Sequence, residues 1–417
     1  MQVDTDPKDA AQSHPEGNVP PAREALADAN ACVMCGLCLP HCPTYGLERN
    51  EADGPRGRLS LMLGLHREDL AIDDQVTAHL DACLGCRACE QMCPSNVPYG
   101  RLIDSARQVL REEGFGQTTA RQWRDRLLTH RGRMTLAVGA QVLADRVGLG
   151  RLTRRLAGPA AAALPTPLPW PAHPFGIHRA KGSERGRLGL FVGCMGTSLD
   201  ADTTRAAIRV LVRLGWSVVV PRSQGCCGAM HRHDGAADTA DHLLAESIAS
   251  FADTAVDQAV GLSTACVAEW REQAAGQLPI VELTDFLARE NDDVWPALLS
   301  AENRSAAIHL PCSQRNALRD TDAAERLLRR IPALKIEPLA GNALCCGAAG
   351  LQRLSHPEQA RALREPKLDA LEARSVDYLV STNVGCTMHL NVGLAERNRK
   401  LRATHPVVLL ARYLKPG

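Results

Sequence analysis

The chain lacks a dominant charge: 48 Lys and Arg stand against 47 Asp and Glu, a formal net charge of +1, so no global field argues for nucleic acid as a partner. It also lacks a long apolar run. The nearest stretch, AGPAAAALPTPLPWP from Ala157, is broken by prolines that disfavour a spanning helix. The opening MQVDTDPKDAAQSHPEGNVPP has neither the basic nor the apolar region of a secretory signal. The expectation is a reducing, cytoplasmic setting, with the inner face of the membrane as a peripheral station. Neither G-x-x-x-x-G-K-[ST] nor H-E-x-x-H occurs, and no G-x-G-x-x-G follows a strand, so nucleotide binding and zinc proteolysis lack support. Aromatics are only 3%, yet 45% hydrophobic and 23% charged residues exclude general disorder. What the chain has is cysteine. Its 16 cysteines in 417 residues are too sparse for a small disulfide scaffold, and all fall into tight groups, which indicates metal.

At roughly 100–200 residues per domain the length allows two to four domains. Residues 1–25 read as a flexible lead. Residues 26–110 hold two C-x-x-C-x-x-C-x-x-x-C-P runs, the pattern of a two-[4Fe–4S] ferredoxin-type domain. Residues 111–157 read as an Arg-rich helical segment; the wider stretch 101–157 holds 12 Arg, no Lys and 5 acidic residues. Packing between domains is its expected role, with an anionic bilayer as the alternative for apolar residues such as Leu127, Leu128, Leu136, Val142 and Leu143. Six prolines between Gly158 and Pro174 mark 158–180 as a linker.

Beyond it the sequence repeats. Cys194, Cys226, Cys227 and Cys266 recur as Cys312, Cys345, Cys346 and Cys386, at offsets of 118, 119, 119 and 120 residues, which indicates duplication of one unit over 185–300 and 304–415. Strand-like runs Leu188–Val192, Ser217–Val220 and Ala259–Leu262 alternate with helical periodicity (Ile208, Leu211, Val212). The second copy answers with Ala307–Leu310, Leu334–Ile336 and Tyr378–Val380 around Leu327, Leu328 and Ile331. The fold class expected is therefore α+β overall: a helical ferredoxin-type domain followed by a duplicated α/β domain with parallel sheets. Each cysteine group comes just after a strand, where open parallel sheets collect ligands.

The first motif is Cys32-x-x-Cys35-x-x-Cys38-x-x-x-Cys42-Pro43 and the second Cys83-x-x-Cys86-x-x-Cys89-x-x-x-Cys93-Pro94. Three thiolates at x₂ spacing suit one cubane, and the fourth, before proline, ligates the other cluster in two-cluster ferredoxins. Cys32, Cys35, Cys38 and Cys93 are accordingly expected to hold one [4Fe–4S] cluster, and Cys83, Cys86, Cys89 and Cys42 the second. Zinc sites rarely use such spacing. In the repeats, Cys194, Cys226, Cys227 and Cys266 form one expected metal or cluster site, and Cys312, Cys345, Cys346 and Cys386 the other, carrying further Fe–S clusters or zinc; buried structural thiols are the bland alternative. Gly228 and Gly347 let the backbone turn toward the metal.

ACVMCGLCLPHCPTYG, DGPRGR at Asp53–Arg58, HLDACLGCRACEQMCPS, GCCGA at Gly225–Ala229 and LCCGAAG at Leu344–Gly350 resemble the glycolate oxidase iron–sulfur subunit family from about Asn30 onward. More broadly the chain is similar to the cysteine-rich subunits of heterodisulfide reductase and anaerobic glycerol-3-phosphate dehydrogenase. The resemblance implies an electron-transfer subunit. An FAD-containing partner would oxidise glycolate or a similar 2-hydroxy acid such as D-lactate, this chain would carry no catalytic residue, and a quinone or other membrane acceptor would receive the electrons. A thiol–disulfide reductase subunit and a zinc-stabilised scaffold are the alternatives. The heterodisulfide reductase type has a C-x-x-C pair closing each repeat; here Glu269 and His389 stand in the second positions, which removes a five-thiolate site and leaves them as substitute ligands or ordinary core residues. Arg56 and Arg58 are read as either a solvated turn or a docking or potential-raising pair, and His231 and His233 as a solvated helix start rather than a proton relay.

Overall fold

The computed structural model describes residues 22–116, 121, 131–156 and 164–415. Most of the expected lead, the middle of the Arg-rich segment including Leu127 and Leu128, and the start of the linker lie outside these.

The N-terminal unit is helical. Helix Tyr99–Glu112 buries Leu102, Ile103, Ala106, Val109 and Leu110 at three- and four-residue spacing, against Leu26, Met62, Leu65 and Leu80. Helix Pro55–His66 begins with proline, whose missing N–H costs nothing in a first turn. Helix Asp74–Asp81 is capped by Asp73, whose carboxylate accepts from the Val76 N–H at 2.8 Å. Between these helices the two cysteine loops repeat one backbone pattern: left-handed residues at Met34 and Gly36 (φ 57° and 80°) correspond to Gly85 and Arg87 (φ 56° and 58°). Each pair curls its loop so that successive cysteines turn to one side.

The rest is two parallel-sheet units. The strands are β1 Gly176–His178, β2 Gly186–Phe191, β3 Trp216–Val220, β4 Ala259–Gly261, β5 Ile280–Glu282, β6 Ser305–Ile308, β7 Lys335–Pro338, β8 Tyr378–Val380 and β9 Ala403–Thr404. The first sheet runs β1-β3-β2-β4-β5 and the second β7-β6-β8-β9, so β3-β2-β4-β5 and β7-β6-β8-β9 have the same order. All pairings are parallel save that of β1, antiparallel to β3 with Gly176 opposite Val220. One apolar core joins the two units, with Leu190, Val218 and Leu283 from the first and Ile308, Leu327 and Leu409 from the second. Each fully buried Leu or Val there contributes about 1.5–3 kcal/mol.

The expected parallel-sheet fold class is found, with two corrections of extent. The linker 158–180 does not run free to its end: Leu168 and Ala172 are buried, and β1 forms an edge strand once the prolines stop at Pro174, a position where a proline-flanked strand is tolerated. The Arg-rich stretch divides. Its start is the ferredoxin-core helix, whereas helix Arg131–Arg146 packs Val138 and Val142 on Leu168, Leu199 and Met388. That packing between units matches the expected role on one face only, since Leu136 and Leu143 on the opposite face are exposed.

Candidate iron–sulfur site

Cys32, Cys35 and Cys38 line one pocket together with Cys93 and Cys89 from the other motif. Burial pushes the Cys38 thiol up to about 11, and the sulfurs of Cys32, Cys35 and Cys93 add to the rise. For Cys89 burial again dominates, and the neighbouring sulfurs, strongest influence first, are Cys86, Cys83, Cys42 and Cys38. Each fourth cysteine is thus brought to the other motif's trio. Cys42 is buried, with its sulfur 3.2 Å from the Thr44 hydroxyl.

Beside the second group lies Arg58, only 1% exposed, so its reading as a solvated turn is overturned. It donates to the His79 carbonyl at 2.7 Å and the Thr44 hydroxyl at 2.9 Å, and pairs with Asp53 at 3.4 Å. Burial opposes its charge, but Cys83, Tyr99, Cys42 and Asp53 hold its pKa above the ordinary arginine value. A permanent cation against Cys42 and Cys83 favours added negative charge there. Arg56 stays at the surface on Glu51, at 2.6 Å.

The repeats build their cysteine groups in parallel ways. Cys226-Cys227-Gly228 follows β3 and Cys345-Cys346-Gly347 follows β7. Gly228 and Gly347 have φ of 85° and 84°, and a Cβ on them would lie 2.5 Å from the Ala240 carbonyl oxygen and 2.6 Å from that of Ala360. Glycine is required twice over, by conformation and by helix approach. In both turns the glycine N–H donates to the first sulfur of the pair, Cys226 or Cys345, at 3.4 Å. Cys266 and Cys386 occupy the third residue of helices Thr264–Gln273 and Val384–Glu396, where the helix N-terminus favours thiolate; Asn383 caps the latter and accepts from the Cys386 N–H at 3.2 Å.

In the first group the thiols of Cys194 and Cys227 hold Cys226 well below the usual range, against burial and with help from His231 and the Gly228 N–H. Cys312 and Cys346 do the same for Cys345, helped by the Gly347 N–H and Lys367. The Cys312 and Cys345 sulfurs are 3.9 Å apart, far beyond a disulfide bond of about 2.05 Å, and all sixteen cysteines are free. Converging soft sulfur donors with N–H support fit a thiolate-ligated iron centre.

The two groups are not isolated from each other or from the N-terminal unit. One cavity of about 510 Å³ is lined by all eight repeat cysteines and by Cys83 and Cys86. The ferredoxin-type unit is fixed over it: Asn316 donates to the Cys86 carbonyl at 2.6 Å, Gln352 to that of Asp81 at 2.6 Å, and Arg107 to those of Cys83 at 2.5 Å and His233 at 2.8 Å. After burial, the strongest influence raising Cys86 is Cys345.

The two residues in the fifth-thiolate positions are both engaged elsewhere. Glu269 lines the cavity of the cysteines, but its carboxylate is held in an ion pair with Arg232 at 2.5 Å, and His389 donates from Nε2 to the Ala360 carbonyl at 3.0 Å. The solvated reading fails for His231, which is buried beside Cys226; His233 is exposed, as that reading expects, and pairs with Asp104 at 3.1 Å. The sequence reading missed His309, whose only signal is its place three residues before Cys312. It is buried with Cys346 and Cys386, a nitrogen and both sulfurs lying within 4.8 Å of one another. Burial, assisted by Lys367, holds its pKa down to about 3, so the ring is neutral.

A 4Fe-4S dicluster domain family matches residues 28–97, and a cysteine-rich domain family matches 188–269 and 306–391. A "Glycolate oxidase iron-sulfur subunit" of Escherichia coli is 31% identical over 88% of this chain and 91% of its own length. The chain belongs to the glycolate oxidase iron–sulfur subunit family. Another relative, the "Probable glycolate oxidase iron-sulfur subunit" of Bacillus subtilis, is 30% identical over 91% of this chain and 92% of its own. "Lactate utilization protein A" of Shouchella clausii is 29% identical over 51% of this chain and 92% of its own. As a member of this family the chain carries iron–sulfur clusters. No helix among the described residues is long and apolar enough to cross a membrane.

Proposed function

We propose that this chain is the iron–sulfur electron-transfer subunit of a flavin-dependent dehydrogenase for glycolate or a related 2-hydroxy acid such as D-lactate, delivering electrons from an FAD-containing partner to a quinone-type acceptor. Cys32, Cys35, Cys38 and Cys93 hold one cluster, Cys83, Cys86, Cys89 and Cys42 the second, and the two repeat quartets hold a centre each, in units spanning 26–110, 185–300 and 304–415. Bound there, iron–sulfur clusters supply one-electron chemistry, while oxidation of the hydroxy acid falls to the flavoprotein. The observation that carries the reading is the single cavity onto which both quartets and Cys83 and Cys86 open. Asn316, Gln352 and the bond from Arg107 to the His233 carbonyl hold the ferredoxin-type unit against it, so the distances between cysteine groups are set by direct hydrogen bonds and not by a loose linker.

The acceptor side of the reading rests on the helical pair Arg131–Arg146 and Gly150–Leu156. Met134, on the packed side of the first helix, lines the cavity. Facing away, Leu136, Leu143, Val147, Leu149, Leu152 and Leu156 are all exposed. Residues 131–156 hold six Arg, no Lys and one acidic residue. An apolar face flanked by arginine suits an anionic bilayer, and a lipid-dissolved acceptor would then meet the cavity from that side. The test is a complex reconstituted with the flavoprotein on anionic vesicles. Glycolate should reduce both a long-chain quinone in the bilayer and a water-soluble dye, and Leu143→Glu with Leu152→Glu should abolish only the former. Failure to reduce either acceptor overturns the electron-transfer reading; equal loss of both in the variant makes the face a protein interface.

A further inference from the structure

The two repeats share strand order, glycine geometry and cysteine placement, yet differ at a buried position beside the cysteines. His309 directly follows β6, three residues before Cys312; the position three before Cys194 is Phe191, the last residue of β2. Phe191 is committed to apolar packing, edge-on to Trp270 with ring centroids 5.2 Å apart. His309 is instead gathered with Cys346 and Cys386 inside 4.8 Å. Its orientation is fixed from two sides: its backbone N–H donates to the Val380 carbonyl at 2.9 Å, and Nδ1 lies 3.0 Å from the Ser381 hydroxyl. A histidine anchored through one ring nitrogen presents the other as a ligand in a set tautomer.

We propose that His309 ligates the metal centre of the second repeat through Nε2, beside the thiolates of Cys312, Cys345, Cys346 and Cys386, and that the first repeat, with Phe191 at the matching position, lacks this ligand. The buried histidine of the first repeat, His231, comes from the residues after the Cys226–Cys227 pair, a different part of the chain from the strand end that carries His309. The two centres are therefore chemically unequal. The inference rests on the iron-carrying reading of the repeats given above.

The test is pulsed electron paramagnetic resonance on the anaerobically purified full chain labelled with ¹⁵N-histidine, poised where the second centre is paramagnetic, together with iron and sulfide analysis. One strongly coupled imidazole nitrogen is expected. It should vanish in His309→Phe, which reproduces the first repeat, while the ferredoxin-type signals persist as the internal check on folding. His309→Gln serves the same comparison where the aromatic variant does not fold. Iron for the two ferredoxin-type clusters alone would overturn the iron reading of the repeats and the proposal with it. Iron in the repeats without a coupled nitrogen, or a coupling that survives both substitutions, would overturn the histidine ligand alone.

Discussion

Gly347→Ala should damage the second repeat far more than an ordinary glycine substitution, and the size can be worked from the turn itself. At φ 84° an alanine is strained, by about 1–2 kcal/mol. Its methyl would also sit 2.6 Å from the Ala360 carbonyl oxygen and 3.1 Å from the Leu363 Cβ, so helix Pro357–Glu372 has to retreat, an overpacking cost of about 1–3 kcal/mol. The two terms together predict a loss of about 2–5 kcal/mol, with loss of the Gly347 N–H contact to the Cys345 sulfur and hence of repeat iron. Gly341 is the control: its φ is 78° but nothing lies within 4 Å of its added Cβ, so Gly341→Ala should cost only the conformational part, about 1–2 kcal/mol. Urea unfolding followed by circular dichroism, with iron analysis of each variant, measures the difference. Equal stability and equal iron in the two variants would refute the claim that helix contact, beyond backbone conformation, reserves this position for glycine.

Cys42→Ser should perturb the cluster held by Cys83, Cys86 and Cys89 and spare its sequence neighbours, as spectra of the reduced variant against Cys93→Ser will show once the two clusters are distinguished; damage to its own motif's cluster would refute the crossover. Arg58→Met should lower the reduction potential of that same cluster, measured by redox titration, and cost about 1–3 kcal/mol because the His79 carbonyl and Thr44 hydroxyl lose their buried donor while His79 stays on Asp53 at 3.0 Å. An unchanged potential would deny the guanidinium its electrostatic role. Burial raises Asp200 to about 6 despite the Thr203 hydroxyl it accepts, so its ionisation destabilises the fold as pH rises from the unfolded value of about 3.9 and does so fully above about 6. Asp200→Asn should therefore be more stable by about 1–3 kcal/mol at pH 8, with the gain gone below about pH 4; a gain independent of pH would refute it.

Much of this arrangement is legible in the sequence because it is periodic or repeated. Leu188–Val192 and Ser217–Val220 are apolar runs long enough to show as strands, and the near-constant cysteine offsets by themselves reveal the duplication. β5 and β9, at three and two residues, are too short to carry a pattern, and β1 is concealed behind prolines. Arg58 and His231 mislead because charge and a nearby helix start suggest solvent; only tertiary packing encloses them. His309 carries no motif at all, and becomes visible once β6 and β8 set it beside Cys386. The common cavity was likewise beyond reach, since two quartets some 120 residues apart in sequence share a mouth only through the joint core of the two sheets.

The central claim is that electrons leave through the repeat cysteines, and Cys346→Ser tests it most directly. In rapid-mixing experiments on the reconstituted complex, glycolate should still reduce the flavin and the ferredoxin-type clusters of the variant at the native rate, while transfer to the quinone analogue is lost. Undiminished transfer to the quinone, with iron missing from the second repeat, would contradict the account and reduce the C-terminal half to a scaffold.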